Sequence, residues 1–471
     1  MRDRYESPLC ERYASARMQY IFSPDFKFTS WRKMWLYLAE AEKELGLDIT
    51  DEQLDEIRAH LNDVDYDAAA AYEKRLRHDV MAHLRAFADQ CPKAGPILHL
   101  GATSCYVGDN TDVWQLSEAL KSLRGQLLGV MAALSDFALK NADVPTLAYT
   151  HFQAAQPTTV GKRATLWLQD FLMDFDRLTF ELSRLKPLGC KGTTGTGASF
   201  LMLFNGDESK VRALEGLIAR KMGFESCVAV SGQTYTRKVD AFVLNVLSGI
   251  AQSASKMATD LRLLSHLKEF DEPFESEQVG SSAMAYKRNP MRSERVCSLA
   301  RYVMTDALNP AWTAATQWME RTLDDSANRR ISMPEGFLCA DAILRLAQNV
   351  TDGLHVNEKI IEKTVMEYLP FIATENLMME GVKRGGDRQA LHEIIRRCSM
   401  EATARMKAGE SCDLLARLAK EPAFGLTEDE MAALLAPALY IGRCAGQVEA
   451  FVEKVRPLLG DTAKGSAEIN L

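Results

Sequence analysis

The chain is 471 residues long, 47% hydrophobic and 25% charged, with a formal net charge of -8. That length predicts two or three domains, the acidic balance excludes a general nucleic-acid binder, and no segment has the length of a membrane span. Its ten cysteines show no Cys-x-x-Cys pair or metal-ligand spacing, and its N-terminus lacks the apolar run of a signal peptide; together these predict a cytoplasmic protein with reduced thiols and no metal.

Residues 1–105 read as short amphipathic helices. Ser30 is placed to cap a helix carrying Trp31, Met34, Trp35, Leu38 and Leu45, which Gly46 ends. Thr50 and Gln53 form a capping box, with Ile49 and Leu54 as its hydrophobic staple. The run Arg75 to His83 holds two arginines and His78, which suit an anion site, although such a run also reads as a charged helix face. His78 and His83 are five apart, the wrong step for a helical zinc pair. Thr103 and Ser104 stand at the entrance of the first long helix, where hydroxyls either bind anions or serve as ordinary caps.

Residues 106–355 read as a long-helix bundle. In Asp112–Asn141, Val113, Leu116, Leu120, Leu123, Leu127, Val130, Leu134 and Phe137 recur at steps of three and four. Thr159–Lys186 and Val239–Phe270 repeat the pattern, so each predicts a helix of roughly 45 Å. Stripes of that length need long partners, and any left over predict burial by another subunit. Between the helices lie polar clusters. His151, in Thr150-His151-Phe152-Gln153, is placed to act as a general acid or base near neutrality. Lys191 to Gly197 looks like a phosphate loop but lacks the Gly-Lys-Ser/Thr ending of an ATP site. Cys227–Val230 reads as a short strand. Arg321 to Arg330 offers three arginines for a phosphate or carboxylate clamp, unless Asp324 and Asp325 pair with them. From about 356 to 471 a third helical domain repeats the capping device with Thr427 and Glu430. The expected class is all-α, in three domains.

The most telling stretch is Gly280-Ser281-Ser282-Ala283-Met284-Ala285-Tyr286-Lys287-Arg288-Asn289-Pro290. Two hydroxyls follow a glycine, with an ammonium and an amide a few residues on. A serine exchanges a proton if its surroundings lower its pKa, and a fixed ammonium stabilises a developing anion. The pattern resembles the signature loop of the fumarase/aspartase superfamily. Arg77-His78-Asp79, Thr103-Ser104, Thr150-His151, Lys191 to Thr196, Ser231 to Arg237 and Arg321 to Arg330 extend the likeness to nearly the whole chain. Together they are similar to the adenylosuccinate lyases, in the form found in animals.

That resemblance implies removal of fumarate from adenylosuccinate, giving AMP, and from the succinylated imidazole carboxamide ribotide SAICAR, giving AICAR. It implies no cofactor, and a homotetramer whose active sites are shared between subunits. Ser281 would be the base, His151 the acid and His78 a supporting histidine. Lys287 and Asn289 would stabilise the succinyl carboxylates, with Glu294 orienting Lys287 or His151. Arg77, Asp79, Thr103, Ser104, Gln233, Arg295, Arg321, Ser326 and Arg330 would hold substrate, and Arg4 and Tyr5 would touch the nucleotide. Ala154, Gly197, Ala285 and Glu6 depart from the family pattern. The arginine cluster counts against a lyase for argininosuccinate, which has no phosphate. Retention of Ser281, His151, Lys287 and Asn289 together counts against a non-catalytic structural protein.

Overall fold

Near the N-terminus, helix boundaries follow the strongest local stop and start signals. In the structure, a computed structural model that describes residues 3–275 and 277–460, helix α1 spans Pro24–Glu44. Ser23 caps it, accepting from the Phe26 N–H, with Pro24 in its first turn. The expected cap, Ser30, instead lies buried in mid-helix. Ser23-Pro24-Asp25 wins because it supplies a hydroxyl, a preset φ and an acid in the first turn. The Thr50 and Thr427 capping boxes both form. Helix α2, Tyr66–Leu76, stops at Arg77, which takes the left-handed φ of 55°. Helix α3, Asp79–Gln90, then starts at once with His78 as its cap.

The bundle follows. Helix α4 is Ser104–Lys140, α5 Val160–Arg184, α6 Lys238–His266, α7 Met291–Asp306 and α8 Asp325–Asp352. The apolar stripe of α4 from Val113 to Phe137 is buried throughout and joins residues of α5, α6 and α8 in one core. Contacts along the rods give their directions. Asp109 on α4 meets Arg237 before α6 and, through it, Asp325 on α8. One level further along, Gln126 on α4 meets Asp341 on α8. So α4, α6 and α8 run parallel, while α5 runs against them, with Trp167 bonded to Asp260 on α6.

Cys227–Val230, expected as a strand, forms none. Among the described residues the strands are β1, Pro145–Thr150, and β2, Gln153–Thr159, an antiparallel hairpin between α4 and α5, and a two-residue pair Phe270–Asp271 with His355–Val356. Thr146, Thr150, Thr158 and Thr159 favour extended backbone in the hairpin, whereas Cys227 is held by a thiol bond to the Glu215 carbonyl.

Two smaller cores flank the bundle. One joins Trp35, Phe87 and Tyr106 to Phe200, Leu214 and Ile218; the other joins Leu369, Leu391, Leu414 and Phe424. A last helix, α9, Cys444–Leu459, returns to the bundle and buries Val448, Val452 and Val455 in the main core. Within the first of these cores Glu42 is 0% exposed, and neither carboxylate oxygen has a hydrogen-bond partner. Burial pushes its pKa up to about 9. The folded chain therefore holds a proton that the unfolded chain releases above its ordinary carboxylate value. The contribution is complete below about pH 4.5 and is lost as pH rises towards 9, at about 1.4 kcal/mol per pH unit. Glu42→Gln should flatten that slope and raise the thermal midpoint at pH 8 relative to the parent. Melting both proteins from pH 5 to 8 checks this, and parallel curves would refute it.

Candidate active site

One group of site residues gathers where α4, α6 and α8 begin. His78 accepts the Met81 N–H through Nδ1 at 3.3 Å, so the neutral ring carries its proton on Nε2. That nitrogen is 3.2 Å from Ser104 Oγ, at the first residue of α4. Thr103 occupies the cap position without a side-chain capping bond. Asp79 lies 3.3 Å from Arg330 of α8. Arg321 is 3.2 Å from Asp325 and also acts electrostatically on Cys105, next to Ser104. Gln233 donates its N–H to the Glu320 carbonyl at 3.0 Å, which brings it beside Arg321. This approach needs Gly232, because a Cβ there would sit 2.4 Å from the same carbonyl. Ser326 is half-buried in the first turn of α8. Arg77 is exposed at the kink before His78, and Tyr5 is 89% exposed at the start of the described chain, beside Arg4. His99 sits next to this group, accepting the Trp35 indole N–H through Nδ1 at 2.9 Å. Burial, with His78 adding to it, pushes its pKa down to about 4.

Under this surface lies an ionic network of which the sequence offered one part, the pairing of Asp325 with Arg321. Arg237 is 2% exposed and bridges Asp325, at 2.7 Å, and Asp109, at 3.0 and 3.2 Å. Burial is the largest single influence and opposes its charge, but Asp109 with Tyr235 and Asp240 together outweigh it and the pKa rises. Arg329 binds Asp240 at 2.7 Å, Asp112 at 2.9 Å and the Tyr235 hydroxyl at 2.6 Å. Of the three arginines of the expected clamp, Arg329 is thus spoken for by carboxylates, and Arg321 shares Asp325 with Arg237. Apart from that pair, the sequence showed only that Asp109 and Asp112, three apart, share one face of α4. Lys191, in the loop that looked suited to phosphate, is buried and paired with Glu215 at 2.6 Å. Gly197 sits at φ +67°, a left-handed conformation strained for any side chain.

The second group lies at the opposite end of the rods. His151 and Phe152 form the two-residue tip of the β1–β2 hairpin, at φ 53° and 56°. Both central residues with positive φ define a type I′ turn, usually filled by Asn and Gly. Here it carries two large exposed side chains, His151 among them. Arg163 of α5 holds the hairpin from behind, donating to the Leu147 carbonyl at 2.7 Å.

The 280–290 loop joins the end of α6 to the start of α7. Glu272 anchors its base by accepting the N–H groups of Arg292, at 3.0 Å, and Ser293, at 2.7 Å. Asn289 Nδ2 donates to the Gly280 carbonyl at 2.8 Å and closes the loop. A Cβ on Gly280 would lie 2.2 Å from the Lys287 carbonyl. The glycine serves a close approach of backbones. Ser281 Oγ accepts N–H bonds from Met284, at 3.1 Å, and Ala283, at 3.3 Å. Lys287 is exposed, as is Glu294 in the first turn of α7. Arg295 Nη1 is buried without a partner. Among the described residues no hydrogen bond or ion pair joins Ser281, Lys287 or Glu294 to His151 or to His78 of the same chain.

Comparison with known proteins places the chain in a family. Residues 25–305 match the lyase family model, and residues 370–451 match the model of the adenylosuccinate lyase C-terminus. The chain is 48% identical over 454 residues to the adenylosuccinate lyase of Schizosaccharomyces pombe, covering 96% of this chain and 94% of that one. It is likewise 48% identical to that of Saccharomyces cerevisiae over 456 residues, 96% and 95% of the two chains. The fold is that of the 3-carboxy-cis,cis-muconate lactonizing enzyme of Pseudomonas putida, with a TM-score of 0.82 at 24% identity over 95% of this chain and 98% of the other. With nearly half its residues identical along almost its entire length, the chain belongs to the adenylosuccinate lyase family of the fumarase/aspartase superfamily.

Proposed function

We propose that this protein cleaves adenylosuccinate to AMP and fumarate, and SAICAR to AICAR and fumarate, by anti β-elimination in the cytoplasm. Beyond family membership, one observation supports a site of this kind. The anion-holding residues and the proton-transfer residues stand at opposite ends of parallel rods. With 29 residues in α6, those ends are about 43 Å apart, so one chain cannot bring them onto one substrate. A second copy, reversed, can. Leu166, Met173 and Phe180 are exposed at seven-residue steps on α5, with Phe242 exposed on α6, an apolar stripe suited to that contact. The reading is a homotetramer with shared sites.

In that site Ser281 takes the proton from the carbon beside a carboxylate. The electron pair forms the new C=C bond, the C–N bond breaks, and His151 gives its proton to the departing nitrogen. The Ala283 and Met284 N–H groups aimed at Ser281 Oγ favour its anionic form. Lys287 meets the dianion that builds on the succinyl carboxylates, which is the largest electrostatic demand of the reaction. The Asn289 amide that closes the loop on Gly280 has a second N–H for the same carboxylates, and Arg295 offers its unpartnered Nη1. His78, Ser104, Arg321 and Arg330 hold the phosphate and base, with Arg77, Asp79, Thr103, Gln233 and Ser326 around them. Arg4 and Tyr5 close over the nucleotide, and Glu294 reaches its partner across the subunit contact. The direct test is to mix purified protein with adenylosuccinate and follow fumarate. Release of fumarate with an equal amount of AMP is expected, and inert, folded protein would overturn the assignment.

A further inference from the structure

Lys27, near the start of α1, is half-buried, with Nζ over two aromatic rings, 5.3 Å from the centroid of Phe28 and 5.0 Å from that of Trp31. Its ammonium makes no hydrogen bond or ion pair with any described residue. The rings show where it stands. Phe28 stacks on His83 of α3, with 3.7 Å between centroids. Asp79 lies one turn earlier on the same face of α3, about 6 Å along the axis. Asp79 accepts the Val80 N–H at 2.8 Å and lies 3.3 Å from Arg330. Lys27 is thus brought beside the group formed by His78, Asp79 and Arg330.

The acids around it are engaged elsewhere, Asp79 with Arg330 and Asp112 with Arg329 at 2.9 Å. Burial pushes the Lys27 pKa down, against the pull of Asp112 and Asp79, and Arg330 adds to the push. Glu73, exposed on α2, acts on it least. His83 supplies no second cation near pH 7, because burial, and after it Lys27, push its pKa down to about 4. An ammonium has three donors. Partly stripped of water and without an acceptor, it gains more from an incoming anion than an exposed lysine does. We propose, on the reading of this group as the nucleotide-holding half of the site, that Lys27 binds the nucleotide's phosphate beside Arg330. Phe28 and Trp31 support its apolar stem, so the charged head projects from a fixed base. A compact point charge suits a phosphate, to which it donates from any direction.

The test compares AMP with adenosine by equilibrium dialysis on the full-length protein. Wild type should bind AMP more tightly. Lys27→Met keeps an apolar stem over the two rings and removes the charge. It should lower AMP affinity about tenfold or more and leave that for adenosine unchanged, which also shows that the variant folds. Lys27→Gln should repeat the result, and Lys27→Arg should retain most of the preference for AMP. In turnover, Lys27→Met should raise KM for adenylosuccinate with kcat little changed. Lys33→Met takes the same charge from the same helix, where Lys33 lies 5.6 Å from the Trp114 ring centroid, and should change neither affinity. Equal losses for AMP and adenosine in Lys27→Met would overturn the proposal and leave a packing role. So would an unchanged AMP affinity, or an equal loss in Lys33→Met. Wild type that binds AMP and adenosine alike would overturn the nucleotide-phosphate reading of the whole group, and Lys27 with it.

Discussion

Ser281→Ala should lower kcat by about 10² to 10⁴-fold, the range for removing a positioned proton-transfer group, while leaving the melting temperature unchanged. The side chain is half-buried and accepts only two local N–H bonds, from Ala283 and Met284, so little structure depends on it. The sharper result concerns hybrids. His78→Gln disables the other end of the rods, where the ring bridges the start of α3 to Ser104. Each variant alone should be nearly inactive. Dissociated together and reassembled, the two should recover activity, because some sites then take Ser281 from one chain and His78 from another. Recovery would be absent if each site belonged to a single chain. That outcome would sink the shared-site reading and, with it, the inference drawn from the length of α6.

The second large effect lies beneath the surface. Arg237→Ala should destabilise the protein by about 3–5 kcal/mol, since breaking a buried pair leaves charge without compensation. Here two buried carboxylates lose their shared cation: Asp109 keeps only the Tyr235 N–H, at 3.0 Å, and Asp325 only Arg321, at 3.2 Å. Arg237→Lys should recover only part of this. A point charge on a flexible stem cannot serve Asp325 through Nε and Asp109 through both terminal nitrogens at once. Activity should fall along with stability, because Asp325 also holds Arg321. Urea denaturation of the three proteins checks the order, and a loss below about 1 kcal/mol for the alanine variant would show that the network contributes little.

The bundle was legible because burial imposes a period. Every apolar residue named on α4 from Val113 to Phe137 is buried, and the helix bounds follow the stripe to within a turn or so at its C-terminal end. Local punctuation was legible where one signal stood alone, as at Thr50, and failed where two competed, as Ser30 did with Ser23. The hairpin was not legible. Its turn uses His151 and Phe152 in a conformation that no propensity assigns to them, and only the neighbouring threonines hint at extended chain. At the site, chemistry-bearing residues stood out in the sequence, but their roles as neighbours did not. Asp109 lies 128 residues from Arg237, and no local pattern connects them. The reason for Gly280 was also hidden: what demands a missing side chain is a carbonyl seven residues further on.

The shared direction of α4, α6 and α8 has a consequence of its own. Peptide dipoles add along each rod, so three positive termini are stacked at one end of the bundle. Aligned rods of like polarity repel, and the acids near their starts answer this: Asp109 and Asp112 on α4, Asp240 on α6, Asp325 on α8. The molecule as a whole is an anion, yet this end of it is biased to receive one. Capture of a multiply charged substrate should then be governed by the field of the rods as well as by the side chains that finally touch it, and that capture should weaken as salt is added.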